Sequence, residues 1–298
     1  MDRTLDDFAA SVGAAGDVTV EGTASRGGGV VDVRSVAAPA GIARVDAAEM
    51  VVECGAGTPV TDVLGELAEV GQTVSVPPGG TIGGALAVGA SDVTRLGHGP
   101  IRDVLLRTRY VSATGQVTTA GGPTVKNVSG FDLCRLLVGS HGTLGFFGDC
   151  ILRTRPLPRH SAWFATSGEP ARLLRDLHRP VSVLWDGATT WVRLDGDESD
   201  VDAAAGRCDL IAADGPPPSP GPHRWSMPPA GIDVLRDEPA GSFLAEVGVG
   251  VVHHSRPQER PDPLPEVRAL HTRIKEGFDP AGRLNPGVDP LTARRRRM

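Results

Sequence analysis

The amino-acid sequence predicts an α+β fold. Short runs rich in valine, isoleucine and threonine, which favour strands, are mixed along the chain with segments that carry helix-capping signals. The chain has 298 residues, enough for one large domain or two moderate ones. Its 40% hydrophobic and 22% charged residues are ordinary for a globular protein. Its abundant glycines lie within apolar segments, where they indicate tight turns and close approach to a ligand.

The elements predicted for the first half begin with strands at residues 18–20, 50–54 and 104–111. Before the third strand, a helix is predicted with Thr58 as its N-cap and Pro59 at its first helical position, ending at Gly71. Residues 113–116 are predicted to form the turn of a β-hairpin.

The second half begins near residue 161, after which all four tryptophans occur. Its predicted elements are a helix near 173–178, strands at 181–185 and 189–194, a proline-rich loop at 216–222, one buried strand at 243–252 and a final helix over 264–277. His253 and His254 follow that buried strand, and neighbouring strand residues point to opposite faces, so the two cannot easily share one metal. A structural role at the strand end is favoured, with a single catalytic histidine as the alternative.

Charge and cysteine usage exclude several functional classes. The net charge of −6 gives no electrostatic indication of nucleic-acid binding, and the basic run at 294–297 is typical of a solvated tail. The cysteines form no Cys-x-x-Cys pair, so we expect buried free thiols in a reducing compartment and no metal site: Cys54, Cys134, Cys150 and Cys208. The acidic start has no apolar core of a signal peptide, and no apolar run reaches membrane-spanning length. A cytoplasmic location is therefore predicted.

Residues 77–89, Pro-Pro-Gly-Gly-Thr-Ile-Gly-Gly-Ala-Leu-Ala-Val-Gly, are the first segment that suggests ligand chemistry. Four glycines in six positions expose backbone N–H groups without hindrance from Cβ atoms, so the segment can approach a pyrophosphate or a flat ring. Residues 83–87 are expected to open a short helix whose N-terminus favours an anion. Alone, the segment is also compatible with an ordinary glycine-rich turn.

Three further segments carry polar groups at loops. Residues 97–104 place Arg102 and Asp103 before a strand, where the arginine either neutralises phosphate or pairs with the aspartate. Residues 124–133 combine a cation, an amide and a carboxylate, and Asp132 is a candidate N-cap for the helix that follows. Residues 138–147 form another glycine-rich loop with two hydroxyls, which suits a nucleotide phosphate or ribose.

The order of these segments is more informative than any one of them. Pro-x-Gly-Gly-Thr-Ile-Gly-Gly, then Gly-x-Ile-Arg-Asp, then Lys-Asn-x-x-Gly-Phe-Asp-Leu, then Gly-Ser-x-Gly-Thr-Leu-Gly resembles the PCMH-type FAD-binding domain of the vanillyl-alcohol oxidase / p-cresol methylhydroxylase superfamily. Within it, the chain is most similar to the FAD-binding subunits of bacterial glycolate oxidases, relatives of D-lactate dehydrogenases. The resemblance covers residues 17–158 and returns at 274–287, which contains a Leu-Asn-Pro-Gly turn.

The resemblance implies a domain organisation and a cofactor. It implies an FAD-binding domain of two α+β subdomains at 1–158, a reduced α+β cap or substrate domain at 159–260, and a C-terminal helix and tail at 261–298 that return to the FAD domain. Covalently flavinylated relatives carry a histidine beside the first glycine loop or a cysteine in the second, and neither occurs here. Non-covalent FAD is therefore expected.

The same resemblance implies which residues contact FAD. The early loop at 23–29 departs from the family pattern, because Val30 and Val31 follow its glycines where a hydroxyl residue is usual. The implied cofactor-binding residues are Arg26, Gly27, Gly28, Pro78, Gly79, Gly80, Thr81, Ile82, Gly83, Gly84, Gly99, Ile101, Arg102, Lys126, Asn127, Gly142, Thr143 and Gly145.

Three functions are compatible with this resemblance. The first is FAD-dependent oxidation of glycolate or a similar 2-hydroxy acid, with electrons passed to a second flavoprotein subunit and an iron–sulfur subunit. The second is a non-catalytic FAD-binding scaffold subunit, because the region after residue 158 is short and the histidine-rich metal motif of many relatives is absent. The third, a reductase that makes UDP-N-acetylmuramate, is disfavoured by the 126–133 motif and the Leu-Asn-Pro-Gly ending. No catalytic residue is assigned.

Overall fold

The structure is a computed structural model, and it describes residues 4–25, 30–122, 132–259 and 262–291. Within them the helices are α1 (Leu5–Val12), α2 (Val60–Glu69), α3 (Ile82–Val88), α4 (Arg95–His98), α5 (Leu133–Leu137), α6 (Pro170–Asp176), α7 (Glu198–Arg207) and α8 (Pro265–Phe278), with 3₁₀ turns at Ile101–Asp103 and Pro229–Asp237. The strands are β1 (Val18–Val20), β2 (Arg34–Val36), β3 (Ile42–Asp46), β4 (Val51–Gly55), β5 (Gln72–Thr73), β6 (Leu105–Val111), β7 (Val117–Gly121), β8 (Phe146–Arg153), β9 (Arg155–Pro156), β10 (His160–Thr166), β11 (Ser182–Trp185), β12 (Thr190–Gly196), β13 (Ile211–Ala213), β14 (His223–Ser226), β15 (Phe243–Glu246) and β16 (Val251–His254).

The chain divides into two compact units. The first contains residues 1–92, 100–157 and 262–298, and the second contains residues 93–99 and 158–261. The helix α8 and the segment after it thus return to the first unit. Residues 93–99, placed in the first domain by the sequence, lie in the second unit instead, because Gly97 N–H donates to the carbonyl of Val181 at 3.1 Å. A Cβ atom on Gly97 would lie 2.8 Å from Val181 Cα, so glycine permits this close approach.

The first unit contains two cores, as expected for two α+β subdomains. The larger core lies between the antiparallel sheet β3-β4-β8-β6-β7 and helices α2, α3 and α5. It includes buried Leu67, Ile82 and Leu152, and the last turns of α8 pack against it. The smaller core joins α1, the parallel pair β1-β2 and Leu284 of the returning segment. Both cores form because each helix and strand carries apolar residues on the face that it packs inward.

The second unit is built on an antiparallel sheet in the order β13-β10-β12-β11-β15-β16-β14. Alternate side chains of these strands, among them Phe164, Val192 and Trp225, form one core with α6, α7 and Leu235. The strands at 181–185 and 189–194 were predicted correctly as neighbours. The single strand predicted at 243–252 is wrong: residues 247–250 turn, and β15 and β16 pair as a hairpin.

Helix α2 shows a second departure from the sequence prediction. Pro59, not Thr58, occupies the N-cap position, and no side chain caps the helix there. The Thr58 hydroxyl instead donates to the carbonyl of Gly41 at 3.1 Å and accepts from the Gly41 N–H at 2.9 Å. The Thr58 hydroxyl is therefore bound to the backbone of Gly41, 17 positions earlier in the chain, and does not cap α2.

Cysteine burial agrees with the expectation of free thiols. All four cysteines are free, and Cys54, Cys134 and Cys150 are buried, whereas Cys208 is only partly buried, contrary to the prediction. Burial raises the pKa of Cys54 to about 12 and that of Cys134 to about 11. Protonated, buried thiols of this kind are core residues with little nucleophilic character.

Candidate functional site

The first glycine segment forms an exposed loop followed by α3. Gly79 and Gly80 have φ angles of +75° and +69°, and a Cβ atom on Gly79 would meet nothing within 4 Å. Within the described residues, no acceptor is hydrogen-bonded to the N–H of either glycine. The Gly80 carbonyl accepts from Val60 N–H at 2.9 Å, which fixes the loop against α2. The loop therefore presents backbone donors without side chains in front of them.

The N-terminus of α3 does not offer its donors to an anion, contrary to the expectation from the sequence. The Ile82 N–H donates to the Thr58 carbonyl at 3.0 Å, and the Gly83 N–H donates to the Ala56 carbonyl at 2.7 Å. The Gly84 N–H donates to the Thr81 hydroxyl at 3.1 Å, so Thr81 is the N-cap. Ile82 is fully buried, and Gly83 is needed because a Cβ atom would lie 2.9 Å from the Ala56 carbonyl oxygen.

The C-terminal end of α3 joins the first glycine segment to the second, at residues 139–145. Gly89 ends the helix at φ +66°, and a Cβ atom on it would lie 3.0 Å from Gly139 Cα. The Gly139 N–H donates to the Leu86 carbonyl at 2.9 Å, and the His141 N–H donates to the Ala87 carbonyl at 2.8 Å. The structure thus brings together the two segments that the sequence singled out.

The second segment has an unusual backbone and buried donors. His141 and Gly142 both have positive φ angles, +54° and +70°, and burial lowers the pKa of His141. Gly142 is buried, and among the described residues its N–H has no hydrogen-bond acceptor. The Ser140 Oγ is also buried, with no described partner. Thr143 donates to the Ser140 carbonyl at 2.7 Å, and Gly145 packs against the Tyr110 ring.

These groups fit a flavin dinucleotide, which is rich in hydrogen-bond acceptors. Buried donors without partners cost free energy, so they indicate a ligand that supplies acceptors. The exposed N–H groups at Gly79 and Gly80 suit a phosphate oxygen.

Gly99, Ile101 and Arg102, which the resemblance also implies as FAD contacts, lie outside the two glycine segments. The Ile101 N–H donates to the Ser91 hydroxyl at 3.1 Å, and its side chain is buried in the core of the first unit. Arg102 is exposed on the 3₁₀ turn. Asp103 pairs with Arg135 at 2.7 Å, so the alternative of an Arg102–Asp103 pair is not the one formed.

Gly99 belongs to the second unit. Asp132 caps α5 as predicted, accepting from the Arg135 N–H at 3.1 Å. The remaining implied residues lie outside the described residues: Arg26, Gly27, Gly28, Lys126 and Asn127.

The second unit holds a buried carboxylate–imidazole pair that the sequence did not indicate. His253 Nε2 lies 2.9 Å from Glu246 Oε1, and the Glu246 side chain is only 4% exposed. His254 points to the opposite face of the sheet and stacks on Trp225 with ring centroids 3.9 Å apart. This arrangement agrees with a structural role for His254. The carboxylate fixes the orientation and tautomer of the His253 ring.

A second polar cluster in this unit contains His98 and Asp195. His98 Nε2 lies 3.4 Å from Asp195 Oδ2, and the Ser161 hydroxyl donates to Asp195 at 2.7 Å. Burial raises the pKa of Asp195, but hydrogen bonds from His98 and Ser161 and the charge of Arg193 bring it down to about 2. The cluster attaches α4 to β12. Within the described part of the chain, no three His, Cys, Asp or Glu side chains converge as metal ligands.

Comparison with known proteins decides the nature of the glycine-rich unit. Residues 10–121 match the model of the FAD binding domain family. The chain carries an FAD-binding domain. This confirms the resemblance inferred from the motifs and identifies FAD as the cofactor of the domain.

Curated relatives share the sequence of the FAD-binding domain. Glycolate oxidase subunit GlcE of Escherichia coli (strain K12) is 33% identical over 177 residues, which are 55% of this chain and 50% of that protein. A D-lactate dehydrogenase of Archaeoglobus fulgidus is 36% identical over 118 residues, which are 39% of this chain and 27% of that protein. The chain therefore spans half or less of the length of these relatives.

A solved structure shows the same fold. Alkyldihydroxyacetonephosphate synthase has a TM-score of 0.68 at 14% identity, covering 96% of this chain and 75% of that chain. At this identity the likeness concerns the fold, which confirms the α+β architecture around the FAD-binding domain. Within the described ranges, the helices are too short or too polar to cross a bilayer.

Proposed function

We propose that this chain is an FAD-dependent oxidoreductase subunit that oxidises glycolate or a similar 2-hydroxy acid and passes electrons to partner subunits. The observation that carries the proposal is the junction of the two glycine segments in the FAD-binding domain. Among the described residues, Gly79 and Gly80 before α3, and Gly142 and Ser140 in the second segment, carry donors without an acceptor, and the second segment contacts the C-terminal end of α3 at Gly89. The kinship with a glycolate oxidase subunit and a D-lactate dehydrogenase supports the substrate class.

The residues of the two segments have distinct roles in this proposal. Gly79 and Gly80 bind phosphate oxygens through their N–H groups, and Gly142 and Ser140 donate to acceptor atoms of the dinucleotide. We expect non-covalent attachment, because Pro78 and Gly79 occupy the first loop and no cysteine occurs in the second. Bound FAD supplies a two-electron acceptor for oxidation of the hydroxyl-bearing carbon.

A non-catalytic FAD-binding scaffold is the second candidate. It is favoured by the described residues, among which no three His, Cys, Asp or Glu side chains converge as metal ligands. In that case the second flavoprotein subunit of the complex performs the oxidation. The second flavoprotein and iron–sulfur partners, and the cytoplasmic location, remain predictions in either case.

Anaerobic spectroscopy separates these functions. Purified protein is expected to show flavin absorbance, and acid precipitation is expected to release the flavin into the supernatant. Glycolate or D-lactate should bleach the flavin of the isolated chain if it is catalytic. Bleaching that requires added partner subunits would support the scaffold, and protein that cannot be reconstituted with FAD would refute both functions.

A further inference from the structure

The segment that follows α8 contacts the second glycine loop through two side chains. Lys275 Nζ donates to the carbonyl of Thr143 at 2.8 Å. Asn285 Nδ2 donates to the carbonyl of His141 at 2.6 Å. These two carbonyls flank Gly142, so the returning segment holds the loop on both sides of the Gly142 N–H, which has no acceptor among the described residues.

Asp279 holds the Lys275 amine in this position. The Asp279 side chain is fully buried and forms an ion pair with Lys275. It also accepts from the N–H groups of Arg283 at 3.1 Å and Leu284 at 2.8 Å. The turn between α8 and Asn285 is thus ordered around one carboxylate, which places Lys275 and Asn285 together. Charge-assisted bonds of this kind are stronger than neutral ones.

The loop and the returning segment both retain unpartnered buried polar atoms. Ser140 Oγ and Asn285 Oδ1 are buried, and neither has a hydrogen-bond partner among the described residues. Such atoms are rare because their desolvation is uncompensated. Their occurrence on a loop and on the side chain that holds it points to a polar ligand at the same place.

We propose that Lys275 and Asn285 are positioning residues for FAD, and that the bound cofactor supplies a hydrogen-bond partner for the Ser140 hydroxyl, which has none among the described residues. The inference rests on the proposed FAD site at residues 139–145. The two side chains fix the His141 and Thr143 carbonyls, and this keeps the Gly142 N–H and the Ser140 hydroxyl directed toward the ligand. The Leu-Asn-Pro-Gly ending is thereby part of the cofactor site.

Titration of apoprotein with FAD, followed by flavin fluorescence, tests the inference without any assay of activity. Ser140→Ala is expected to raise the Kd for FAD about tenfold, the effect of one lost hydrogen bond. Because Ser140 Oγ has no hydrogen-bond partner among the described residues, thermal unfolding of the apoprotein should not change. Ser182→Ala is the matched control, since Ser182 Oγ is also buried and, in the described part of the chain, also without a partner, but lies in the second unit.

Variants of the returning segment test the positioning role. Asn285→Asp removes the donor to His141 and is expected to raise the Kd about tenfold or more. Lys275→Gln should weaken FAD binding, and Lys275→Arg should restore part of it. Unchanged Kd values for Ser140→Ala and Asn285→Asp, with normal FAD binding by the wild-type chain, would overturn the inference alone. Failure of the wild-type chain to bind FAD would instead overturn the proposed function.

Discussion

Replacement of Gly89 by alanine tests the junction between the two glycine segments. Gly89 has a φ of +66°, and an added Cβ would lie 3.0 Å from Gly139 Cα and 3.2 Å from Gly139 N. The left-handed conformation costs a non-glycine residue about 1–2 kcal/mol. Crowding against backbone that cannot rotate away adds about 1–3 kcal/mol. The substitution should therefore both destabilise the first unit and shift the second segment.

Gly71 provides a matched control. Its φ is +69°, and a Cβ atom on it would meet nothing within 4 Å. Gly71→Ala therefore carries the same backbone strain and the same change in unfolded-chain entropy without the steric contact. The difference between the two variants isolates the approach of Gly89 to Gly139, which we expect to be about 1–3 kcal/mol in the free energy of unfolding.

Urea denaturation followed by circular dichroism measures this difference, and FAD titration measures its effect on the site. Gly89→Ala should bind FAD about tenfold more weakly, since the segments no longer meet as in the native chain. Gly71→Ala should bind FAD as the wild type does. Equal unfolding free energies and equal FAD affinities for the two variants would refute the proposal that this junction builds the site.

Two other perturbations probe separate parts of the chain. Arg283→Met should lower the free energy of unfolding by more than about 3 kcal/mol in urea denaturation, because the guanidinium donates to five backbone carbonyls. Arg34 also donates to two of them, those of Val12 and Ala15, so the loss falls mainly on the other three. A loss below about 1 kcal/mol would contradict this. The folded pKa of Asp195 is about 2, below its unfolded value of 3.8, so about 2 kcal/mol of stability should be present above about pH 4 and disappear as the pH falls toward 2. Asp195→Asn should remove this pH dependence from urea unfolding curves, and an unchanged profile would count against it.

Local signals explain why much of the architecture was predictable. The order of the motifs indicated the FAD-binding domain and its α+β class, and both are confirmed. The capping of α5 by Asp132 and the turn between β11 and β12 depend on neighbouring residues, so the sequence contains the needed information. The return of α8 to the first unit was inferred from the family ending.

Errors arose where distant contacts replaced local ones. Thr58 matched the pattern of an N-cap, but the backbone of Gly41 takes its hydroxyl. For Gly83, a predicted FAD contact, the backbone N–H and the missing Cβ serve the approach to Ala56, a contact that the sequence did not indicate. Sequence pattern alone cannot reveal which chain segment will lie opposite a glycine or a hydroxyl.

Polar contacts within each of the two units show the same limit. The pairing of His253 with Glu246 depends on the β15–β16 hairpin, which the apolar run at 243–252 concealed. Glycines at 248 and 250 within that run were the available signal for a turn. The contact of Asn285 with His141 spans 144 residues, and no local pattern encodes it.

The arginine at position 283 also has a consequence for biosynthesis. Its guanidinium binds carbonyls of residues 12–16, up to 271 positions earlier in the chain. A ribosome adds about 5–20 residues per second, so the second unit, which is made in between, delays this contact by about 5–20 s. During that time the nascent N-terminal subdomain lacks one of the donors to these carbonyls. Assembly of the FAD-binding domain, and with it cofactor loading, is therefore expected to wait until this arginine has emerged from the ribosome.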